Sequence, residues 1–175
     1  MTVGHSTHTF DRLTRLLEAN GVRQLVDVRK APKSTRMPWF RGGALAASLP
    51  HAGVAYAHEP RLGGFREPRK DTPNTGWLVE AFRGYADHMD SDEFRAGLEH
   101  VESLARERRT AIMCAEAQWT RCHRRLVSDA LVLRGWTVLH IDSNGHTRPH
   151  ALTEFAVAVD GGRIEYPPQQ GKLDV

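Results

Sequence analysis

Cysteine is scarce in this chain: two among 175 residues, Cys114 and Cys122, both inside one short stretch. That excludes a disulfide framework and points to a reducing, cytoplasmic setting. No run approaches the ~20 consecutive apolar residues that a membrane span needs, so no membrane partner is expected. The opening Met1-Thr-Val-Gly-His-Ser6 has neither a basic leader nor an apolar signal core, and it does not read as a secretory peptide. Lysine is also rare, with 20 of the 24 basic residues being Arg. Two readings of that excess stand side by side: a GC-rich coding sequence, or phosphate recognition by Arg's planar fork. The net charge is only +3 and the basic residues are spread out, so no tail binds nucleic acid on charge alone.

With 40% hydrophobic and 26% charged residues, the composition is that of a globular domain large enough for a full core. Apolar runs and turn signals place strands ending at Gly4, Arg29, His58, Met113 and Ile141. Helices are expected over Phe10–Asn20 with Thr9 as N-cap, Gly42–Leu49, Trp77–Met89, Ser91–Arg108 and Cys122–Arg134. A last helix is expected from Pro149 or His150 through Val159. The alternation predicts one three-layer α/β domain over 1–175, with a largely parallel five-stranded sheet and helices on both faces. Between His58 and Trp77 lies a long irregular stretch, which in a compact domain is usually functional or mobile.

The richest segment runs from Thr110 to Leu131: a short buried strand, a loop, then a helix start. Cys114 and Glu116 stand where the strand stops, and Cys122, His123 and Arg124 where the helix begins. Ligands of open parallel sheets bind outside the carboxyl ends of the strands, and helix N-termini attract anions. The other strand ends supply His5 and Ser6, Asp27 and Arg29, and His58 and Glu59 with the flexible Gly63-Gly64. If the sheet is parallel, all of these converge on one cleft. Candidate catalytic groups are Asp27, Cys114 and Glu116. Cys114 is a nucleophile if the helix start lowers its pKa, or otherwise a small buried hydrophobe. Glu116 is an acid or base if half-buried with a raised pKa. Arg29 is expected to pair with Asp27 or Glu59, or to meet substrate.

No cofactor is predicted. Cys114, Cys122 and His123 match no common zinc spacing, although three ligands suffice for a catalytic site and metal there stays open. The loop Arg29–Arg41 interleaves five basic residues with Trp39 and Phe40, a composition suited to stacking bases and meeting phosphates, or to covering the core.

Taken together, Val3-Gly-His-Ser-Thr7, Leu25-Val-Asp-Val-Arg29, Glu59-Pro-Arg-Leu-Gly-Gly64, Phe82-Arg-Gly-Tyr-Ala-Asp87, and Cys114-Ala-Glu116 with Cys122-His-Arg124 resemble the DUF488 family, a domain of unknown function. The resemblance implies a compact α/β domain in a bacterial cytoplasm and adds Tyr85 to the candidate site; it implies no reaction. A weaker similarity to rhodanese-type and Cys-phosphatase domains lies in the Asp-x-Arg strand and the strand-end Cys. The short C-x5-R anion loop of those domains is missing, since Arg121 follows Cys114 by seven residues.

Two functional classes follow. One is an enzyme on a nucleotide or nucleic-acid substrate, such as a hydrolase or glycosylase in base or nucleotide repair. There Asp27 and Glu116 act as the acid–base pair. His5, Ser6, Arg29, Glu59, Gly63, Gly64, Tyr85, Cys122, His123 and Arg124 surround the substrate. The other is a non-enzymatic thiol redox or metal-binding module. A rhodanese-like sulfurtransferase using Cys114 is a third option.

Overall fold

In the computed structural model, which describes residues 1–169, the strands assemble around β4 (Thr110–Cys114). β1 (Thr2–Gly4) and β2 (Gln24–Asp27) flank it, with β3 (Ala55–His58) outside β2 and β5 (Leu139–Ile141) outside β1. All these pairings are parallel, and register places Gly4 beside Cys114 and Asp27 beside both Met113 and His58. Four strand ends therefore meet along one edge, which is the geometry that a cleft requires.

The expected five strands are present, and a sixth joins them. β6 (Thr147–Pro149) pairs antiparallel with β5, giving the order β3-β2-β4-β1-β5-β6. The helix expected over residues 149–159 does not form. Instead β7 (Val157–Val159) and β8 (Arg163–Glu165) make a hairpin through Gly161 and Gly162, both at positive φ. The Asp160-Gly-Gly162 turn reads in the sequence as leading into a short extended piece, and that piece pairs back on 157–159 as a hairpin where a helix was expected.

Five helices cover the sheet. α1 (Phe10–Ala19) is capped by Thr9, whose hydroxyl accepts from the Arg12 amide at 3.1 Å. α2 (Gly42–Ser48) follows, then α3 (Glu80–His88), which begins three residues later than Trp77. α4 (Asp92–Glu107) is capped by Ser91, and α5 (Arg124–Leu133) is entered through a tight turn, Trp119–Arg121. Strand alternation divides the core. Leu25, Ala111 and Met113 pack with Leu13, Leu17 and Leu45 on the α1–α2 face. Val26, Ile112 and Cys114 pack with Tyr85, Leu98 and Leu126 on the α3–α5 face.

Gly4 ends β1 where the Glu116 carbonyl crosses it, and a Cβ there would sit 2.0 Å from that oxygen. Gly43, inside α2, has nothing within 4 Å of such a Cβ. Gly4→Ala is therefore expected to cost roughly 1–3 kcal/mol of stability by overpacking. Gly43→Ala should gain about 0.5–1 kcal/mol from helix propensity. Urea unfolding midpoints of the two variants check both signs.

Candidate functional site

The cleft at the strand ends encloses about 550 Å³. Its walls are Arg29, Lys30 and Ala31 after β2, Gly64 and Phe65 of the long loop, and Phe82 and Tyr85 of α3. Ala115 and Glu116 after β4, with Arg121, Cys122 and His123 before α5, complete it. The glycine pair lets the long loop close. A Cβ on Gly63 would meet the Lys30 backbone at 2.8 Å, and one on Gly64 would meet the His123 ring at 3.0 Å.

Two sulfurs dominate this space. Cys114 Sγ and Cys122 Sγ lie 2.6 Å apart, both thiols are free, and both residues are buried. Arg124 lies against both sulfurs. Its Nε donates to Cys114 Sγ at 3.1 Å, and its amide, in the first turn of α5, donates to Cys122 Sγ at 3.5 Å. The rest of the guanidinium donates to Thr2 Oγ1 at 3.2 Å and to the carbonyls of Glu116 and Ala117. Arg124 is only 1% exposed, and no carboxylate is among its partners. An unpaired buried cation costs several kcal/mol, which favours one negative charge on the sulfur pair. Burial raises the Cys122 pKa, but the Cys114 thiol donating to it and the Arg124 charge outweigh burial and bring it down to about 6. Cys114 moves the other way, because its proton is engaged by Cys122 and because it is buried. His123 Nδ1 sits 3.7 Å from Cys122 Sγ, while its buried Nε2 has no partner among the described residues. Burial keeps that imidazole below the usual histidine range.

Of the residues expected in the cleft, Arg29, Gly64, Tyr85, Cys114, Glu116, Cys122 and His123 line it. Tyr85 donates from its hydroxyl to the Leu62 carbonyl at 2.7 Å, and its ring packs against His123. The remaining expected residues stand elsewhere. Asp27 shares the edge with Cys114 but faces the α1–α2 side. Its carboxylate is saturated by the Arg29 side chain, the Arg29 amide and Tyr56, so Asp27 and Glu116 form no acid–base pair. Burial and the Asp27 charge push the Tyr56 phenol up. Glu116 is exposed rather than half-buried, and its carboxylate caps the Gln118 amide at 3.0 Å. Glu59 pairs with Arg61 and His100, not with Arg29, and those bonds outweigh burial and hold its carboxyl below the usual range. His5 and Ser6 buttress the cleft from beneath. His5 Nε2 accepts from Arg29 at 3.1 Å, and the Ser6 amide donates to the Ala115 carbonyl. Arg124 is sealed behind the sulfurs and does not line the cleft. The cations at the cleft are Arg29, which is largely locked by its bonds, and the exposed Lys30 and Arg121. In the 29–41 loop, Phe40 is buried against His5 and is not a stacking platform.

The sequence reading left Phe65, Phe82 and Arg121 out of the candidate site and named Lys30 only within the basic 29–41 loop. Their surroundings mark them as ordinary loop and helix residues until the chain folds. Among the described residues, no group of three or more His, Cys, Asp or Glu side chains is placed to hold an ion. No helix among the described residues is long and apolar enough to cross a membrane.

A doubly covered α/β sheet with a buried cysteine pair beside its strand ends is the class that fold and site define. The model for Domain of unknown function DUF488 matches residues 9–131, and the chain belongs to that family. No curated protein and no solved structure matches the chain.

Histidine burial predicts an acid response. Burial and Arg29 lower His5 to about 4, and burial, His150 and Arg124 lower His140 to about 3. Below pH ~6.5 the unfolded chain takes up protons that these folded imidazoles refuse. Stability should therefore fall as pH drops from about 6.5 toward 4, before most carboxylates titrate. Urea midpoints measured across that window check the slope; a flat profile would contradict it.

Proposed function

We propose that this chain is a dithiol enzyme that exchanges its cysteine pair with a small anionic disulfide bound in the cleft. One observation carries the reading: a fully buried Arg124 with no carboxylate partner, whose guanidinium donates to one of two touching sulfurs. A thiolate that is charged near neutral pH is the reactive form of cysteine. Cys122, at the helix start and lining the cleft, attacks one sulfur of the substrate disulfide, and that S–S bond breaks. The departing thiolate takes the proton from Cys114. The Cys114 thiolate then attacks Cys122 Sγ and releases the second substrate sulfur as a thiolate. The substrate gains two electrons, and an external dithiol returns the protein disulfide to the reduced pair.

The unmodified protein should react with iodoacetamide with a midpoint near pH 6, set by Cys122. Cys122→Ser should abolish this fast alkylation. Cys114→Ser should still attack but should trap the mixed disulfide, visible by mass spectrometry as one retained substrate half. Two thiols that titrate in the ordinary range, near ~8.5, would overturn the reading.

A second reading concerns what else the same cleft holds. Phe65, Phe82 and Tyr85 offer ring faces, and Lys30 and Arg121 offer exposed charge, around a volume suited to a small molecule rather than a duplex. That combination favours a nucleotide-sized ligand with a planar base and a phosphate. Lys30→Ala and Arg121→Ala should each weaken mononucleotide binding several-fold, and added salt should weaken it further. Calorimetric titration with mononucleotides and short oligonucleotides checks this; no binding of either at low salt ends the nucleotide reading.

A further inference from the structure

Behind Arg124 runs a chain of buried polar groups that the cleft does not touch. Arg124 donates to Thr2 Oγ1 at 3.2 Å, Thr2 Oγ1 meets His140 Nδ1 at 2.7 Å, and His140 Nε2 meets His150 Nδ1 at 2.9 Å. His150 Nε2 then meets Asp129 Oδ1 at 2.8 Å. Thr2, Asp129, His140 and His150 are all buried. Both ends of the chain belong to α5, which carries Arg124 and Asp129. The middle comes from β1, from β5, where Thr2 and His140 are register partners, and from the segment after β6. The chain is thus a closed ring of contacts that ties α5 to the sheet.

Its direction follows from which groups can donate. A guanidinium only donates and a carboxylate only accepts. If Thr2 accepts from Arg124 and donates its own proton to His140 Nδ1, then His140 donates from Nε2 and His150 donates from Nε2 to Asp129. That arrangement satisfies every donor. The reverse arrangement of the imidazoles leaves the buried Thr2 hydroxyl proton without an acceptor, which costs about 1–3 kcal/mol. Asp129 is built as the terminal acceptor: it also takes the Thr153 amide, the Thr153 hydroxyl at 2.7 Å and the Tyr166 hydroxyl at 2.8 Å. Arg124 does not release its protons, so the chain conducts no proton to the sulfurs. It sets where the guanidinium sits.

We propose that Thr2, His140, His150 and Asp129 form a one-way hydrogen-bond relay that holds the Arg124 guanidinium against Cys114 Sγ, as positioning residues for the thiol pair. The proposal rests on the thiolate reading above. The groups facing Cys122 are Cys114 on β4, His123 and Arg124 at α5, and Tyr85 on α3. The relay acts through Arg124 alone.

The test is the pH profile of iodoacetamide alkylation of Cys122 in Thr2→Val, Thr2→Ser and His140→Phe, with thermal unfolding recorded alongside. Thr2→Val removes the acceptor for Arg124. His140→Phe breaks the chain yet keeps a ring on Trp119, which stacks on His140 with centroids 3.9 Å apart. Both should raise the Cys122 midpoint by about one pH unit, so that alkylation near pH 6 slows about fivefold. Thr2→Ser keeps the hydroxyl and should keep the profile. A low midpoint in the unmodified protein that stays low in Thr2→Val and His140→Phe overturns the relay and leaves the thiolate reading standing. An ordinary midpoint in the unmodified protein overturns the thiolate reading itself. Should the variants not fold, imidazole nitrogen NMR of the unmodified protein decides: protons on Nε2 of both His140 and His150 support the relay, and an Nδ1 proton on either overturns it.

Discussion

Arg124 is buried with its charge intact, and much of the molecule is arranged around that fact. A guanidinium without water must spend its five N–H donors on protein and must find an anion nearby. The donors go to Cys114, Thr2 and the carbonyls of Glu116 and Ala117, which forces the chain after β4 to curl back over the end of β1. Gly4 is the space for that curl. The anion is the sulfur pair. One buried cation thus orders the strand end, the loop before α5 and the protonation of the cysteines together.

The cleft above the sulfurs is mostly locked. Arg29 donates to Asp27, His5 and the Phe40 carbonyl, so it presents a fixed charge rather than a mobile arm. Glu59, Arg61 and His100 pin the start of the long loop. Within this frame the two non-glycine residues at positive φ are Ser6, behind the cleft, and Phe65, on its wall. Such conformations cost of order 1–3 kcal/mol each and gather at functional sites. Phe65 is also 91% exposed. A strained, solvent-facing aromatic on the cleft wall is costly for stability alone, which supports the proposal that the cleft takes a ligand.

Much of this was readable from local pattern. Thr9 and Ser91 cap their helices as short polar residues before amphipathic runs do, because the cap bond is local. The strand-loop-helix around Cys114 and Cys122 announced itself through an apolar run that stops at chemically capable residues. The tail resisted the same reading. Its hairpin is held by Asp129, Asn74 and Tyr166, contacts that span up to 92 positions and leave no periodic trace.

The sequence by itself determined the order of strands and helices as far as β5, the polar residue types at the strand ends and the spacing of the two cysteines. Hydrophobic period and turn chemistry act over a few residues, and that range covers all three. Only the tertiary structure decided which face each strand-end residue takes. A single step of alternation sends Asp27 to the α1–α2 side and Cys114 to the other. It also turned Arg124 from an expected anion contact into the buried counter-charge of the thiols. That outcome depends on Thr2, 122 positions away, arriving within 3.2 Å, and on the burial of the charge. Neither is a property of any segment; both belong to the packed whole.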